Sequence, residues 1–313
     1  MNKQYTVDVI IPTYKPGEKL TELVSMLQHQ TYPVQHILIM NTEESLWRPE
    51  LIRDMDRVEV FHIPKSRFDH GGTRCEAEGF SNADILVYMT QDAVPADKTL
   101  IRYLLRPFQN PRVKASYARQ LPDEKCRIIE GYTRSFNYPD KSSVKGIEDI
   151  PDLGIKTFFC SNVCAAYDHQ TYQELGGFPK RAIFNEDMIY AGHLVKSGYQ
   201  IAYAAEALVI HSHNYTNRQQ FTRNFDLAVS QAMHPEVFKG IKSESEGIRL
   251  VKQTASYLKS IDRGEQIPRL IISSGFKYLG YRLGKMYRIL PHFLVKAFSM
   301  NKGYWNPANW EEE

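Results

Sequence analysis

The chain has 313 residues, 42% hydrophobic and 24% charged, with a net charge of +3. That balance fits a soluble globular protein, either one large α/β domain with a helical appendage or two small domains. So small a net charge excludes a broad nucleic-acid-binding surface, and the absence of any run of ~18 apolar residues predicts no transmembrane helix.

Val7-Asp8-Val9-Ile10-Ile11 reads as a short apolar strand stopped by Pro12. From Glu18 to Gln30, Leu20, Leu23, Val24 and Leu27 recur at helical spacing. Ile37 to Met40 and Val58 to Ile63 read as strands. The Gly71-Gly72 turn leads into a helix from Thr73 to about Ser81, and Ile85 to Met89 is a fourth strand. This βαβ alternation predicts a mostly parallel sheet with helices on both faces. From Ala115 to about Lys156 the pattern is irregular, with Arg119, Arg127 and Arg134 among tyrosines. It reads as a loop-rich insertion covering a site. Asn162 to Ala166 is strand-like. Helices follow from Asp168 to Leu175 and from Glu186 to Lys196. Ile201 to Tyr203 and Ala207 to Ile210 read as separate strands, and the chain is helical beyond Arg218. The N-terminus has no basic stretch before a long apolar run, so no signal peptide is expected. Cys75, Cys126, Cys160 and Cys164 form no CxxC pair and read as free thiols in a reducing compartment.

Polar residues gather where apolar strands end or helices begin, which is where open α/β sheets bind ligands. Pro12-Thr13-Tyr14 ends the first strand and suits a base or ribose; the bland alternative is an ordinary strand-to-helix turn. In Arg67-Phe68-Asp69-His70-Gly71-Gly72-Thr73-Arg74, paired glycines let backbone approach a ligand. There Arg67 and Arg74 suit phosphate and Asp69 a base or sugar hydroxyl. The alternative is a loop held by an Asp–Arg pair. Asp92 of Thr90-Gln91-Asp92 can hold a divalent cation on a diphosphate, or merely cap a helix. The acids of Asn185-Glu186-Asp187 can serve as general base, or simply favour a helix dipole. His211, with His213 as alternate, can complete a metal shell with Asp92, or be an ordinary half-buried histidine.

Taken together, Asp8–Tyr14, Thr90-Gln91-Asp92, Glu186-Asp187 and His211 resemble family 2 glycosyltransferases of GT-A fold over roughly residues 6 to 215. Phe68–Arg74, Thr90–Ala93 and His211–Tyr215 are most similar to bacterial rhamnosyltransferases of rhamnose cell-wall polysaccharide or O-antigen synthesis. The resemblance implies a Rossmann-like catalytic domain over 1–217, with a nucleotide-sugar half to about 95 and an acceptor half from 96. A helical region follows over 218–313 for membrane or subunit contact. It implies Asp187, with Glu186, as the catalytic acids. Pro12, Thr13, Tyr14, Asn41, Arg67, Asp69, Gly72, Arg74, Thr90, Gln91 and Asp92 fall on the donor, and Asn162 and Asn185 on the acceptor. Mg²⁺ or Mn²⁺ falls on Asp92 and His211. Thr90 departs from the family pattern by replacing the first Asp of its Asp-x-Asp metal motif.

The implied reaction moves L-rhamnose from dTDP-β-L-rhamnose, with inversion, to a lipid-linked saccharide at the cytoplasmic membrane face, forming an α-L-rhamnoside. Other readings are a UDP-hexose or UDP-GlcNAc donor and a non-catalytic glycan- or nucleotide-binding protein. A nucleotidyltransferase would need a Gly-rich loop that Thr13–Gly17 lacks. Arg269, Lys277, Arg282, Lys285, Arg288, Lys296 and Lys302 are interleaved with aromatic and aliphatic residues and no acid. This pattern suits an anionic membrane surface, or a partner subunit such as a second copy.

Overall fold

A computed structural model describes residues 4–241 and 244–306. The strands are β1 (Val7–Tyr14), β2 (His36–Thr42), β3 (Val58–Ile63), β4 (Ile85–Met89), β5 (Val94–Pro95), β6 (Val113–Leu121), β7 (Ser143–Lys145), β8 (Cys164–Asp168) and β9 (Gln200–Ile210). The helices are α1 (Glu18–Gln28), α2 (His70–Glu78), α3 (Leu100–Leu105), α4 (Ile128–Asn137), α5 (Ile150–Leu153), α6 (His169–Glu174) and α7 (Glu186–Lys196). They continue as α8 (Asn217–Met233), α9 (Pro235–Phe238), α10 (Glu244–Ser260), α11 (Ile267–Lys285) and α12 (His292–Phe298).

All nine strands join one sheet in the order β3-β2-β1-β4-β8-β6-β9-β5, with β7 paired to β9. β1, β2, β3, β4, β6 and β9 run one way and β5, β7 and β8 the other. The sheet is thus mostly parallel by direction, with antiparallel β8 at its centre. Successive side chains of a strand face opposite sides. Ile10, Leu38 and Tyr88 therefore enter one core with α2, α6 and α7, while Val9, Ile11 and Val87 enter the other with α1 and α3. Burial on both faces explains why these strands read as continuous apolar runs.

Three expectations need correction. Pro12 does not stop β1, which pairs with β2 through Tyr14. Pairing with β4 ends at Ile10, so Pro12 lies where β1 has one neighbour and its missing N–H costs no ladder bond. The segment from Ala115 is not all loop. It continues β6, flanked by β8 and β9, and then carries α4. The two late strands are one, β9, bulged opposite Ala118/Arg119. All four cysteines are free, as expected.

The C-terminal helices pack tightly on what precedes them. α11 crosses α8 where Gly280 and Gly284 meet the backbone: an added Cβ would lie 2.3 Å from the Phe221 carbonyl oxygen or 2.3 Å from that of Phe225. α8 in turn fixes the chain before α7, since Ser230 Oγ donates to the Phe184 carbonyl at 2.6 Å. Phe225, Val229 and Val295 bury Ile183 in a small separate core. Replacing Gly280 or Gly284 with Ala is expected to lower stability by about 1–3 kcal/mol through overpacking. Gly275→Ala, in open space on the same helix, should be neutral or raise it by up to about 1 kcal/mol. Urea midpoints of the three variants check this; equal effects at all three positions contradict the close-crossing account.

Candidate active site

The ends of β1, β2 and β4, the start of antiparallel β8, the start of α7 and the end of β9 all reach one edge of the sheet. At the end of β1 and β2, Thr13 Oγ1 and Asn41 Oδ1 are 3.1 Å apart. Asn41 is fully buried and its Nδ2 donates to the Glu43 carbonyl at 3.1 Å. Tyr14 is exposed, with Lys15 and Lys65 ammonium groups 5.4 and 5.5 Å from its ring centroid. Gln91 spends its amide on the Tyr14 backbone, accepting from N at 3.0 Å and donating to O at 3.1 Å. It shapes the turn from β1. Asp8 sits at the opposite end of β1, where it accepts from His36 N and Ser81 Oγ, so it is a buried brace.

The glycine turn is built differently from the Asp–Arg pair. Asp69 caps α2 by accepting from Gly72 N at 2.5 Å and also accepts from Arg181 N at 2.7 Å. Burial raises its pKa despite these two bonds. Gly71 is required by contact, because a Cβ would lie 2.0 Å from the Pro179 carbonyl oxygen. Arg67 pairs with Glu76 at 3.1 Å at the surface. Arg74 is buried and pairs with Glu186 at 3.3 Å. A groove of about 1620 Å³ runs from Tyr14 and Thr42 past Arg67, Asp69 and Gly72 to the chain at 300–306. Its walls include neither Asp187 nor Asp92, so the acids lie beside it.

Asn185 opens α7 in the left-handed region, φ 63° and ψ 29°, a conformation Asn adopts more readily than most residues. Glu186 then faces Arg74, and it accepts from Asn162 Nδ2 at 3.2 Å. Burial favours its neutral form, but Arg74, His70 and Asn162 outweigh this and hold its pKa below the ordinary value. Asp187 accepts from Asn162 N at 3.0 Å and Met188 N at 2.8 Å. Burial, and then the adjacent Glu186 charge, push its pKa up to about 7. Two neighbouring carboxylates are thereby driven apart, one ionised and one basic enough to take a proton near neutrality. Asn162 Oδ1 accepts from Tyr167 OH at 2.8 Å. With both ends of its amide used, it positions the acids.

Asp92, His211 and His213 form the one potential metal cluster among the described residues, with ligand atoms within 4.8 Å of one another. His211 Nε2 is 3.6 Å and His213 Nε2 3.5 Å from the Asp92 carboxylate. Behind the cluster, Gln120 Oε1 lies 3.2 Å from His211 Nδ1. That carbonyl oxygen can only accept, so Nδ1 carries the proton and Nε2 keeps its lone pair, which with the Asp92 oxygen could serve a cation held between them. Burial pushes the His211 pKa down to about 3 and lowers that of His213, keeping both rings neutral. Two imidazole nitrogens and one carboxylate fit a divalent cation, and Mn²⁺ better than Mg²⁺, which prefers oxygen alone. Thr42 Oγ1, Arg74 Nε, Thr90 Oγ1 and Asn185 Nδ2, all at this edge, are buried with no hydrogen-bond partner among the described residues. Such atoms call for a polar partner, which a bound substrate can supply.

Gln120, whose Oε1 accepts from Arg134, escaped the sequence reading. Gln120 was hidden because β6 was not recognised; a polar residue at the end of a parallel strand was the available signal. Arg134, on α4, is the part of the expected covering insertion that reaches the site.

The pattern described as Glycosyl transferase family 2 matches residues 8–176. The O-antigen chain rhamnosyltransferase RfbN of Salmonella typhimurium is 39% identical over 303 residues, 96% of each chain. The chain belongs to glycosyl transferase family 2. A second relative of this glycosyltransferase, the O-antigen chain rhamnosyltransferase WbaN of Salmonella anatum, is 38% identical over 301 residues, 95% of each chain. Two solved structures share its fold. A mannosyltransferase of Pyrobaculum calidifontis in complex with GDP-Man and Mn²⁺ has a TM-score of 0.58 at 14% identity, over 100% of this chain and 89% of its own. S. aureus TarS 1-349 in complex with UDP-GlcNAc has a TM-score of 0.52 at 13% identity, over 90% of this chain and 91% of its own.

The raised pKa of Asp187 has a stability consequence. The folded glycosyltransferase binds its proton more tightly than the unfolded chain, so stability from this group is present below the unfolded value and lost as pH rises towards about 7. Asp187→Asn is therefore expected to raise Tm by a few degrees at pH 8 and by much less at pH 4. Calorimetric scans at both pH values check it; a Tm increase independent of pH contradicts a strained carboxylate.

Proposed function

We propose that this family 2 enzyme transfers L-rhamnose from dTDP-β-L-rhamnose to a hydroxyl of a lipid-linked saccharide in O-antigen or related cell-wall polysaccharide synthesis. The product is an α-L-rhamnoside. Asp187 carries the chemical part of this reading, as a carboxylate held by two backbone N–H groups and raised towards neutral pKa at the edge where β1, β4 and β9 end. The choice of rhamnose is supported by the two relatives matched almost end to end.

In this mechanism Asp187 removes the proton of the acceptor hydroxyl as that oxygen bonds to the anomeric carbon. The bond to the departing dTDP breaks on the opposite face, which inverts the configuration. Arg74 and Asn162 keep Glu186 ionised, and burial together with that Glu186 charge keeps Asp187 basic. Tyr14 and Thr42 line the nucleotide end, with Thr13 and Asn41 buried behind them, and Asn185 Nδ2, without a hydrogen-bond partner among the described residues, is suited to an acceptor oxygen. Asp92 with His211 and His213 would hold Mn²⁺ or Mg²⁺, which when bound neutralises charge growing on the diphosphate. Thr90 replaces a family carboxylate, and the two histidines supply the ligands that Asp92 alone cannot.

The decisive assay offers dTDP-L-rhamnose, UDP-glucose and UDP-GlcNAc separately, with and without a lipid-linked acceptor, and reads nucleotide release. Release from dTDP-L-rhamnose that requires acceptor is expected. Asp187→Asn should lose about 10²-fold or more in kcat while still binding donor, and the wild-type rate should rise with pH through about 7. Exhaustive chelation should stop turnover and Mn²⁺ restore it. Preference for a UDP-sugar overturns the rhamnose assignment, and normal turnover by Asp187→Asn overturns the base.

Where the enzyme meets its acceptor is proposed to be the cytoplasmic membrane face, as a peripheral protein. No helix among the described residues is long and apolar enough to cross a membrane. Residues 266–306 contain no acid, and Ile289 and Phe293 are 73% and 70% exposed beside exposed Arg282, Lys285 and Arg288. That combination matches an anionic lipid surface. Lys277 belongs elsewhere, because it turns inward towards Glu130 and burial lowers its pKa. Neutralising Arg282, Lys285 and Arg288 together, at about 1 kcal/mol each, is expected to weaken binding to phosphatidylglycerol vesicles on the order of 10²-fold. If the wild-type protein ignores such vesicles at low salt and sediments as a dimer, the face is a subunit interface.

A further inference from the structure

A second cavity, about 590 Å³, lies outside the donor groove and shares none of its lining residues. Its walls come from the loop before α4, the turn between β9 and α8, and the start of α11. Lys125, Arg127, Arg263 and Arg269 line it, against one acid, Glu130. Arg263 is paired with Glu265 at 2.8 Å, and Glu130 accepts from Gln220 Nε2 at 3.4 Å. Lys125, Arg127 and Arg269 make no ion pair among the described residues. Like charges gathered around one cavity repel one another and attract an anion.

The loop is held in place. Arg127 N donates to Asn214 Oδ1 at 2.9 Å, and Asn214 Nδ2 donates to the Lys125 carbonyl at 2.8 Å. Tyr215, in the cavity wall, joins it to the reacting centre on two sides. Its ring is 5.1 Å from that of His213, which faces Asp92. The Arg223 guanidinium lies 5.5 Å from the Tyr215 ring and 4.6 Å from Phe184, the residue before Asn185-Glu186-Asp187. In the other direction, Arg269 opens α11, whose exposed Ile271, Ile272, Phe276 and Leu279 begin within a turn of it. The cavity thus sits between the catalytic edge and an apolar surface.

We propose that this cavity binds the diphosphate of the acceptor lipid, with Lys125, Arg127 and Arg269 on its oxygens. The lipid tail leaves along α11 and the saccharide reaches past Tyr215 to Asp187. The proposal rests on the lipid-linked-acceptor reading and adds the place where that acceptor is gripped. It explains why three cations that pair with no acid among the described residues gather here, and why the apolar face of α11 starts at the cavity rim.

The test is calorimetric titration of the full chain with geranyl diphosphate in the presence of chelator, so that neither rhamnose transfer nor a metal-bound donor site contributes. Wild-type binding is expected. Arg127→Ala/Arg269→Ala should weaken it about 10-fold or more, since each loses a charge-assisted contact. Arg127→Lys/Arg269→Lys should retain most of it, and Asp92→Asn all of it. Vesicles of phosphatidylglycerol separate this ligand from a lipid headgroup: the Ala pair should bind them as the wild type does. In the transfer assay, the Ala pair should erase the preference for a lipid-diphosphate saccharide over the same saccharide on a neutral alkyl chain. No wild-type binding of geranyl diphosphate, equal binding by the Ala pair, or a loss on vesicles as large as that on the diphosphate overturns the proposal. Failure of rhamnose transfer with binding intact would instead count against the donor assignment.

Discussion

The buried contact between Arg74 and Glu186 joins three separate parts of the fold. Arg74 comes from α2, Glu186 from α7, and Asn162, which donates to the same Glu186 oxygen, from the residues before β8. A buried pair of this kind is weak evidence for stability, but breaking it by removing one partner is costly because a charge is left stranded. Its larger effect is on the next residue. Burial raises the pKa of Asp187 most, and a Glu186 held ionised beside it adds a fixed negative charge that raises it further. The arrangement that orders the loop also makes Asp187 the more basic of the two acids.

A similar logic operates at the cluster of Asp92, His211 and His213. Gln120 receives Arg134 and the His211 Nδ1–H on one oxygen, while its Nε2 donates to Tyr138 OH at 2.6 Å and to Ser161 Oγ at 3.0 Å. One buried amide therefore ties the end of β6, α4, the chain before Asn162, and the ring at the end of β9. Its carbonyl fixes the His211 tautomer. The site is supported from behind by side chains that themselves contact no substrate in the proposed mechanism, as precise metal and base geometry requires.

The C-terminal helices take part in this support. α11 reaches α8 only because two glycines let backbone meet backbone, and α8 holds the Phe184 carbonyl just ahead of Glu186 and Asp187. Asp226 of α8 also accepts from Met300 N at 2.8 Å and Asn301 N at 3.2 Å, setting the chain at 300–306 that walls the large groove. The region beyond residue 217 thus bears on both ends of the site while turning its basic, apolar face outward.

Local chemistry made much of the protein legible from sequence. Short uninterrupted apolar runs rich in Val and Ile suit strands buried on both faces, and helical spacing placed α1 and α7 within a few residues. Asp92, Glu186, Asp187 and His211 stood out because polar residues at strand ends and helix starts are exposed to ligand by the geometry of an open sheet. Partnership could not be read this way. Arg74 and Asp69 look suited to a ligand in sequence, yet Arg74 gives Nη1 to Glu186 and Asp69 accepts from the backbone of Gly72 and Arg181. β6 has an ordinary polar pattern and is a strand because β8 and β9 flank it, so Gln120 stayed hidden. Lys277 carries the same charge as Lys285 but faces inward. Charge and hydropathy belong to the residue; which of two residues a buried hydrogen bond joins, and how far that moves a pKa, depends on contacts across 90 or more positions of chain, and only the tertiary structure decided them.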